Sequence, residues 1–448
     1  MNSQEPIVDL LVLGAGMAGL SAAARAATAG ASVVLVERGD IVGGSANYAG
    51  YIWTAPDAQT MQENNPEADS ALSAKVSNDY AAALEWVKSL GVDVQEPVTV
   101  LRFGRGCQTD MAAYLRACQR IVRDHGELLL STETGELLTE NGRVAGAKVV
   151  NVDGQHRSIR ARNTLLATGG FGGNPELRAS RIHPLAKDLP LRANPWSNGE
   201  GMRLGQNAGA ATRGTDAGFY GHLIPSQLPL DDPMDFVTLS FYHSEHSVLL
   251  NLDGERFCDE TIGDHITTMK VLEQPEARAL MICDQRVHDQ WMLTPYVKGA
   301  NVVDRFQIAY RRGARCAVTD NVEDFAALPE EWGYPGDKVV AALRAYNCGC
   351  EDGSHLPPRR YDRDPLVTPP YYVIEVVPAI TFTFEGLHID TQARVLDHDN
   401  QPIPGLLAAG ADSGGVFVRA YAGGIANALV FGLQAAETAL RSIAEDKS

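Results

Sequence analysis

Apolar positions open the chain in a block rather than in alternation. Ile7–Leu13, "IVDLLVL", is apolar everywhere but Asp9. Such a run, closed by glycine, predicts a strand buried on both faces, the habit of a parallel sheet. "GAGMAGLSAAARAATAG" follows, with alanines at 22–24, 26 and 27 that predict a thin, closely packed helix. "ASVVLVE" then gives a second buried strand, ending on Glu37. "RNTLLATGG" repeats the theme, with a strand at Asn163–Leu166 that runs out into small residues. From Thr238 the blocks give way to charged and aromatic stretches with scattered prolines, such as "ALPEEWGYPGDKVVAALRAYNCGC". They resume at "PPYYVIEVVPAITFTF" with strand-like runs. "GLHIDTQARVLDHDNQPIPGLLAAG" then reads as a hairpin feeding a buried strand, and the residues after Gly424 read as a helix.

The glycines between the first strand and helix carry chemistry. Gly14, Gly16 and Gly19 make G-x-G-x-x-G: the first permits the tight turn, the second lets a pyrophosphate approach the backbone, and the third lets the helix pack on the strand. The helix start, with Met17 and Ala18, then offers free N–H groups and a positive dipole end to a diphosphate. Glu37, followed by Arg38, stands where an acid accepts hydrogen bonds from both ribose hydroxyls of an adenosine. Gly43, Gly44 and Ser45 follow, and Ala167, Thr168, Gly169 and Gly170 leave room at a strand's carboxyl end. The chain contains one such dinucleotide unit, with additional glycine-rich contacts around it. That combination favours FAD held permanently over NAD bound in passing.

Composition narrows the partners. The 38 basic and 56 acidic residues give a formal charge of −18, which suits neither nucleic acid nor an anionic membrane surface. Seven scattered cysteines fit reduced thiols in a cytoplasm rather than a disulfide framework. Cys348 and Cys350 read as two thiols in a turn, and no metal is expected. There is no 18-residue apolar run and no basic-then-apolar leader, so membrane insertion and secretion are not expected.

The motifs "LGAGMAGLSAAARAATAGASVVLVERG", "GGSANYAG", "ATGGFGGNPELR", "NGEGMRLGQNAGA", "LNLDGERFCDE" and "GLLAAGADSGGVF…YAGGIANALVFG" fall in one family's order. Over nearly its whole length the chain resembles the FAD-binding flavoproteins of the fumarate reductase/succinate dehydrogenase superfamily, and within it the 3-ketosteroid dehydrogenase branch. The resemblance implies an α/β fold: a Rossmann-type, glutathione-reductase-like FAD-binding domain with an inserted α+β substrate cap. The FAD domain is expected at 1–237 and 371–448 and the cap at 238–370. The resemblance also implies that Asp412 sits near the flavin's ribityl chain. The helix after Gly424, with Ala426, Asn427 and Ala428 in its first turn, aims its amides at the isoalloxazine. Relatives with covalent FAD carry a histidine after the glycine pair; here Ser45, Ala46 and Asn47 stand there, so non-covalent FAD is expected.

Two activities divide the superfamily's pattern. Fumarate reductases clamp two carboxylates with arginines and a histidine. In this chain the histidine before "GGL" is replaced by Phe384, and the arginine after the "RFxxE" acid is missing from "ETIGDH". Ketosteroid dehydrogenases use a tyrosine in a Y-x-G-G turn, which Tyr421-Ala-Gly423-Gly424 matches. By resemblance Tyr421 polarises a ketone, the glycines present an amide to its oxygen, a base removes a proton, and flavin N5 takes hydride from the neighbouring carbon. The base is open among Tyr51, Tyr242 and His265, and Tyr421 also fits a packed tyrosine at a helix start. Arg419 would read a carboxylate on the substrate. The expected enzyme is therefore an FAD-dependent dehydrogenase that desaturates a cyclic ketone, a ketosteroid-like compound or a keto acid. It passes electrons to an unidentified acceptor. A fumarate-reductase-like ene-reductase is the alternative.

Overall fold

The computed structural model describes residues 6–230, 232–295 and 301–446. By backbone contacts the chain divides into two compact units. The first comprises 1–177, 193–218 and 382–448; the second comprises 178–192 and 219–381. The span 238–370, expected as the cap, falls inside the second unit, which extends further in both directions.

In the first unit, β1 (Val8–Leu13), α1 (Met17–Thr28) and β2 (Val33–Val36) form the predicted strand–helix–strand. A parallel sheet grows around β1 in the order 402–408, 156–166, 8–13, 33–36, 127–129, with 394–396 antiparallel at one edge. Leu10 to Leu13 are essentially inaccessible, as their unbroken apolar run requires. Residue Asn163 begins no strand; the strand spans His156–Leu166, and its first half pairs with a hairpin, Thr132–Glu140 and Arg143–Asn151. The alternating exposure of that half is why a search for buried blocks passes over it.

Two glycines show how closely backbones approach here. Gly19 lies so near Gly14 that a Cβ would meet the Gly14 carbonyl oxygen at 1.8 Å, which brings α1 against the turn. Gly423 has φ +93, and a Cβ there would lie 1.7 Å from the Trp53 carbonyl oxygen. The C-terminal helix Gly424–Asp446 starts directly after it and packs along α1.

The second unit is α+β. Its sheet runs 219–225, 371–383, 279–284, 248–250, with 316–319 paired antiparallel to 371–383. The runs around "PPYYVIEVVPAITFTF" are one 13-residue strand, Tyr371–Thr383. Its core gathers Leu249, Leu280, Ile282, Val373 and Ile374 with Phe325 and Leu343 from flanking helices. No helix among the described residues is long and apolar enough to cross a membrane.

Gly30 and Gly423 make a matched pair for testing close approach. Gly30 also has positive φ (+83), but a Cβ there would meet nothing within 4 Å. In denaturant unfolding, Gly30→Ala is expected to cost about 1 kcal/mol, the strain alone. Gly423→Ala should cost more than about 3 kcal/mol, because the Trp53 backbone must move as well.

Candidate active site

The phosphate cradle is built from glycine geometry. Gly14 (φ +104) could carry no side chain, since a Cβ would sit 2.2 Å from the Ala167 carbonyl oxygen; this joins the β1 turn to the strand ending at Leu166. Over Gly16, by contrast, the nearest atom to a Cβ is the Gly43 carbonyl oxygen at 4.0 Å, so the space above its backbone is open. Gly44 (φ +50) faces it, and a Cβ on Gly44 would lie 3.5 Å from the Gly16 Cα. No side chain caps the first turn of α1, although Ser, Thr, Asp or Asn is the usual occupant of a cap. Met17 and Ala18 are buried there with their helix end directed at this opening. Glu37 is buried at the end of β2, its two carboxylate oxygens accepting from the amides of Ala15 and Gly39, each at 2.8 Å. Two fixed bonds orient the carboxylate and leave further lone pairs for a ribose. Arg38 donates to Glu200 at 2.9 Å, while its Nε is buried without a hydrogen bond, 3.8 Å from Glu133. Ser45 Oγ accepts from the Asn194 amide at 2.9 Å, so it anchors a neighbouring loop.

Asp412 lies behind this cradle. It accepts from the Thr168 amide, from Thr168 Oγ1 at 3.1 Å and from the Gly170 amide at 2.9 Å. Thr168 Oγ1 in turn accepts from the Gly201 amide at 2.9 Å, at the start of the helix Glu200–Asn207. Burial raises the Asp412 carboxyl above its ordinary range, and the three donors pull it back. With its oxygens so committed, Asp412 positions the 168–170 turn, where Gly169 and Gly170 take φ +96 and +72.

The fit to FAD rests on what these elements leave unsatisfied. Asn427 is fully buried in the first turn of the C-terminal helix with Oδ1 unpartnered, between Ala426 and Ala428. Thr383 Oγ1 is likewise buried without a partner, beside Gly170. Uncapped amides, an oriented acid and orphaned polar atoms along one glycine-lined path suit a dinucleotide that brings its own polar groups.

At the other end of that path Tyr421 sits in a box of rings. Phe384 stacks on it at 6.2 Å and 13°, Phe417 lies at 5.3 Å, Phe382 at 6.1 Å, and Trp53 meets it edge-on at 5.5 Å. Its hydroxyl accepts the Gly424 amide at 2.7 Å, at the start of the C-terminal helix. Tyr51 precedes Trp53 by two residues on the strand Tyr51–Thr54 and so shares its face. Its hydroxyl is buried and unpartnered, and burial raises its pKa.

Arg419 is not brought into this box. Its backbone takes φ 50, a left-handed turn rare for a residue with a side chain. That turn breaks the alternation that would put residues 417, 419 and 421 on one face. Phe417 and Tyr421 go inward, and the Arg419 side chain is 61% exposed, 3.7 Å from Glu67.

Tyr242 and His265 belong to the second unit. The Tyr242 ring lies 4.7 Å from that of His222, whose Nδ1 is hydrogen-bonded to Asp264. His265 is buried with Nδ1 4.0 Å from Asp264 and without a hydrogen bond, and burial lowers its pKa. Phe382, Phe417 and His222 were passed over in the sequence, since single aromatic residues and a lone histidine carry no spacing signal.

Asp412→Asn is expected to weaken FAD binding by roughly tenfold or more, measured by quenching of flavin fluorescence on titrating apoprotein, because an amide turns a donor toward the Thr168 or Gly170 N–H. Denaturation of the wild-type protein should release all of its flavin to the filtrate; flavin left on the chain would mean a covalent link.

The family model described as FAD binding domain matches residues 9–427. The chain is 26% identical to fumarate reductase (cytochrome) of Shewanella frigidimarina, covering 97% of this chain and 77% of that protein. It is also 26% identical to vinyl phenol reductase of Lactiplantibacillus plantarum, covering 92% and 91%. The crystal structure of 3-ketosteroid-delta4-(5alpha)-dehydrogenase from Rhodococcus jostii superposes with a TM-score of 0.78 at 19% identity, over 98% of both chains. The chain belongs to the FAD binding domain family, and is an FAD-dependent oxidoreductase of the fumarate reductase/succinate dehydrogenase superfamily.

Proposed function

We propose that the protein is a dehydrogenase that introduces a C=C bond beside the ketone of a cyclic substrate, ketosteroid-like or keto acid. The observation that carries this reading is the Tyr421 hydroxyl, held by the Gly424 amide inside a wall of Trp53, Phe382, Phe384 and Phe417. A hydroxyl that accepts an N–H from a helix start is polarised and becomes a stronger donor through its own hydrogen. Directed at a ketone oxygen, it stabilises the negative charge that develops as the neighbouring C–H loses its proton. The aromatic wall suits a ring and excludes water, which strengthens that interaction. Tyr51, on the face of Trp53, and Tyr242 and His265 in the second unit remain the groups proposed to take the proton. Bound FAD supplies the two-electron acceptor for the hydrogen on the next carbon.

A second reading follows from the fumarate reductase among the relatives: the same chemistry run toward reduction of an unsaturated acid. The ring box argues against a dicarboxylate there. With Arg419 turned out, a carboxylate buried among these rings would lack a counter-charge, a cost on the order of 3–5 kcal/mol.

Anaerobic mixing with cyclohexanone-type ketones, their 4-carboxylates, 3-ketosteroids and succinate separates the two. Bleaching of the flavin by a saturated ketone, with the enone as product, is expected. Silence toward every ketone, with reduced flavin reoxidised by fumarate-like acids, would replace the dehydrogenase with the reductase. Tyr421→Phe should slow bleaching by about 10²–10³-fold with little change in substrate affinity.

A further inference from the structure

Two arginines in the second unit lack what arginines in a protein interior normally have. Arg305 opens the helix Arg305–Arg311 and lays its guanidinium over the Tyr242 ring at 5.0 Å. Arg192 lies in the 178–192 segment with its guanidinium 5.4 Å from the Phe236 ring centre. Both are half-buried, and the Nε of each is buried without a hydrogen-bond partner. Among the described residues neither has a carboxylate within ion-pair distance. Among the described residues the one hydrogen bond of the Arg305 side chain is a 3.4 Å bond to the Val303 carbonyl. Arg278 and Arg315 of this unit are paired with buried Glu375 and Arg256 with buried Glu260, and Arg178 spends its donors on the Leu189 and Lys187 carbonyls.

The two cations bracket one set of rings. Tyr242 and Phe236 both meet His222 edge-on, at 4.7 and 6.1 Å, and Tyr220 does so at 4.9 Å. His222 is itself fixed by Asp264 at 1% exposure. Burial holds its imidazole below the usual range against the pull of Asp264, and Arg192 and Arg305 push it the same way. Positive charge thus outnumbers negative around the aromatic floor: Asp264 is an acid there, bonded to His222, and neither arginine is paired with it, in a protein that carries −18 overall. Guanidinium groups held against rings, with unspent donors, match a planar anion attached to an apolar ring.

We propose that Arg192 and Arg305, about the His222–Tyr242–Phe236 rings, form a binding site in the second unit for a carboxylate carried on a cyclic hydrocarbon. The site is separate from the expectation placed on Arg419 and does not depend on the reaction proposed for Tyr421.

The test is calorimetric titration of the oxidised holoenzyme with cyclohexanecarboxylate, and with cyclohexanecarboxamide as its neutral match. The acid is expected to bind saturably and the amide roughly tenfold more weakly or worse. Arg305→Leu and Arg192→Leu should each weaken the acid by about tenfold and leave the amide unchanged. Flavin content and melting temperature confirm folding, and Arg305→Gln, which keeps hydrogen-bonding bulk without charge, should lose affinity as Arg305→Leu does. Equal binding of acid and amide, affinity for the acid indifferent to all three substitutions, or no binding of the acid would each overturn the site. Because no turnover is read, a protein that binds the acid but is bleached by no ketone keeps this site and loses the dehydrogenase reading. One bleached by a neutral ketone but blind to the acid does the reverse.

Discussion

The buried carboxylate of Asp412 is the point on which the first unit's site depends. Two strands, His156–Leu166 and Pro402–Ala408, run side by side and end together, the first continuing into a glycine turn and the second into the single 3-10 turn Gly410–Asp412. Asp412, on the second turn, satisfies the Thr168 and Gly170 amides of the first. Thr168 extends the network to Gly201. An unmet amide in such a place costs about 1–3 kcal/mol, so one carboxylate decides whether three loops hold a common shape. The glycine cradle over Gly16 and Gly44 is useful only against that fixed backdrop.

Tyr421 occupies a comparable position at the other end of the path. It is at once a capping acceptor for the C-terminal helix and the polar point of an otherwise apolar box. The two roles reinforce each other, because the amide that the helix leaves unpaired is what sharpens the hydroxyl as a donor. A tyrosine with a structural place at a helix start and a tyrosine fit to polarise a ketone are here the same residue.

Much of the first unit was legible in the sequence, for a physical reason. Parallel strands buried on both faces write themselves as apolar blocks, and a diphosphate cradle needs glycine at fixed intervals from one strand to one helix. Strand, helix, acid and glycines therefore lie within 31 consecutive residues, Ile7–Glu37. Arg419 could not be read the same way: its neighbours suggested a shared face with Tyr421, and one left-handed backbone turn reverses it. The rings around Tyr421 come from residues 53, 382, 384 and 417, and the cations of the second unit from 192 and 305. Sites assembled from such distant segments leave no local spacing to recognise.

The first unit's discontinuity also bears on how the protein is made. Thr54 hydrogen-bonds the Ala422 carbonyl, 368 residues away, and the strand Pro402–Ala408 completes a sheet whose centre was laid down at Val8–Leu13. During synthesis Val8–Leu13 gains both of its neighbours by residue 166, but the carboxyl half of His156–Leu166 leaves the ribosome with one flank open and waits for Pro402–Ala408. Contacts this far apart are closed slowly, and the exposed sheet edge invites wrong partners meanwhile. The second unit, whose strands lie between residues 219 and 383, reaches its full complement first. Vectorial synthesis thus completes the inserted unit before the flavin cradle, which is finished last.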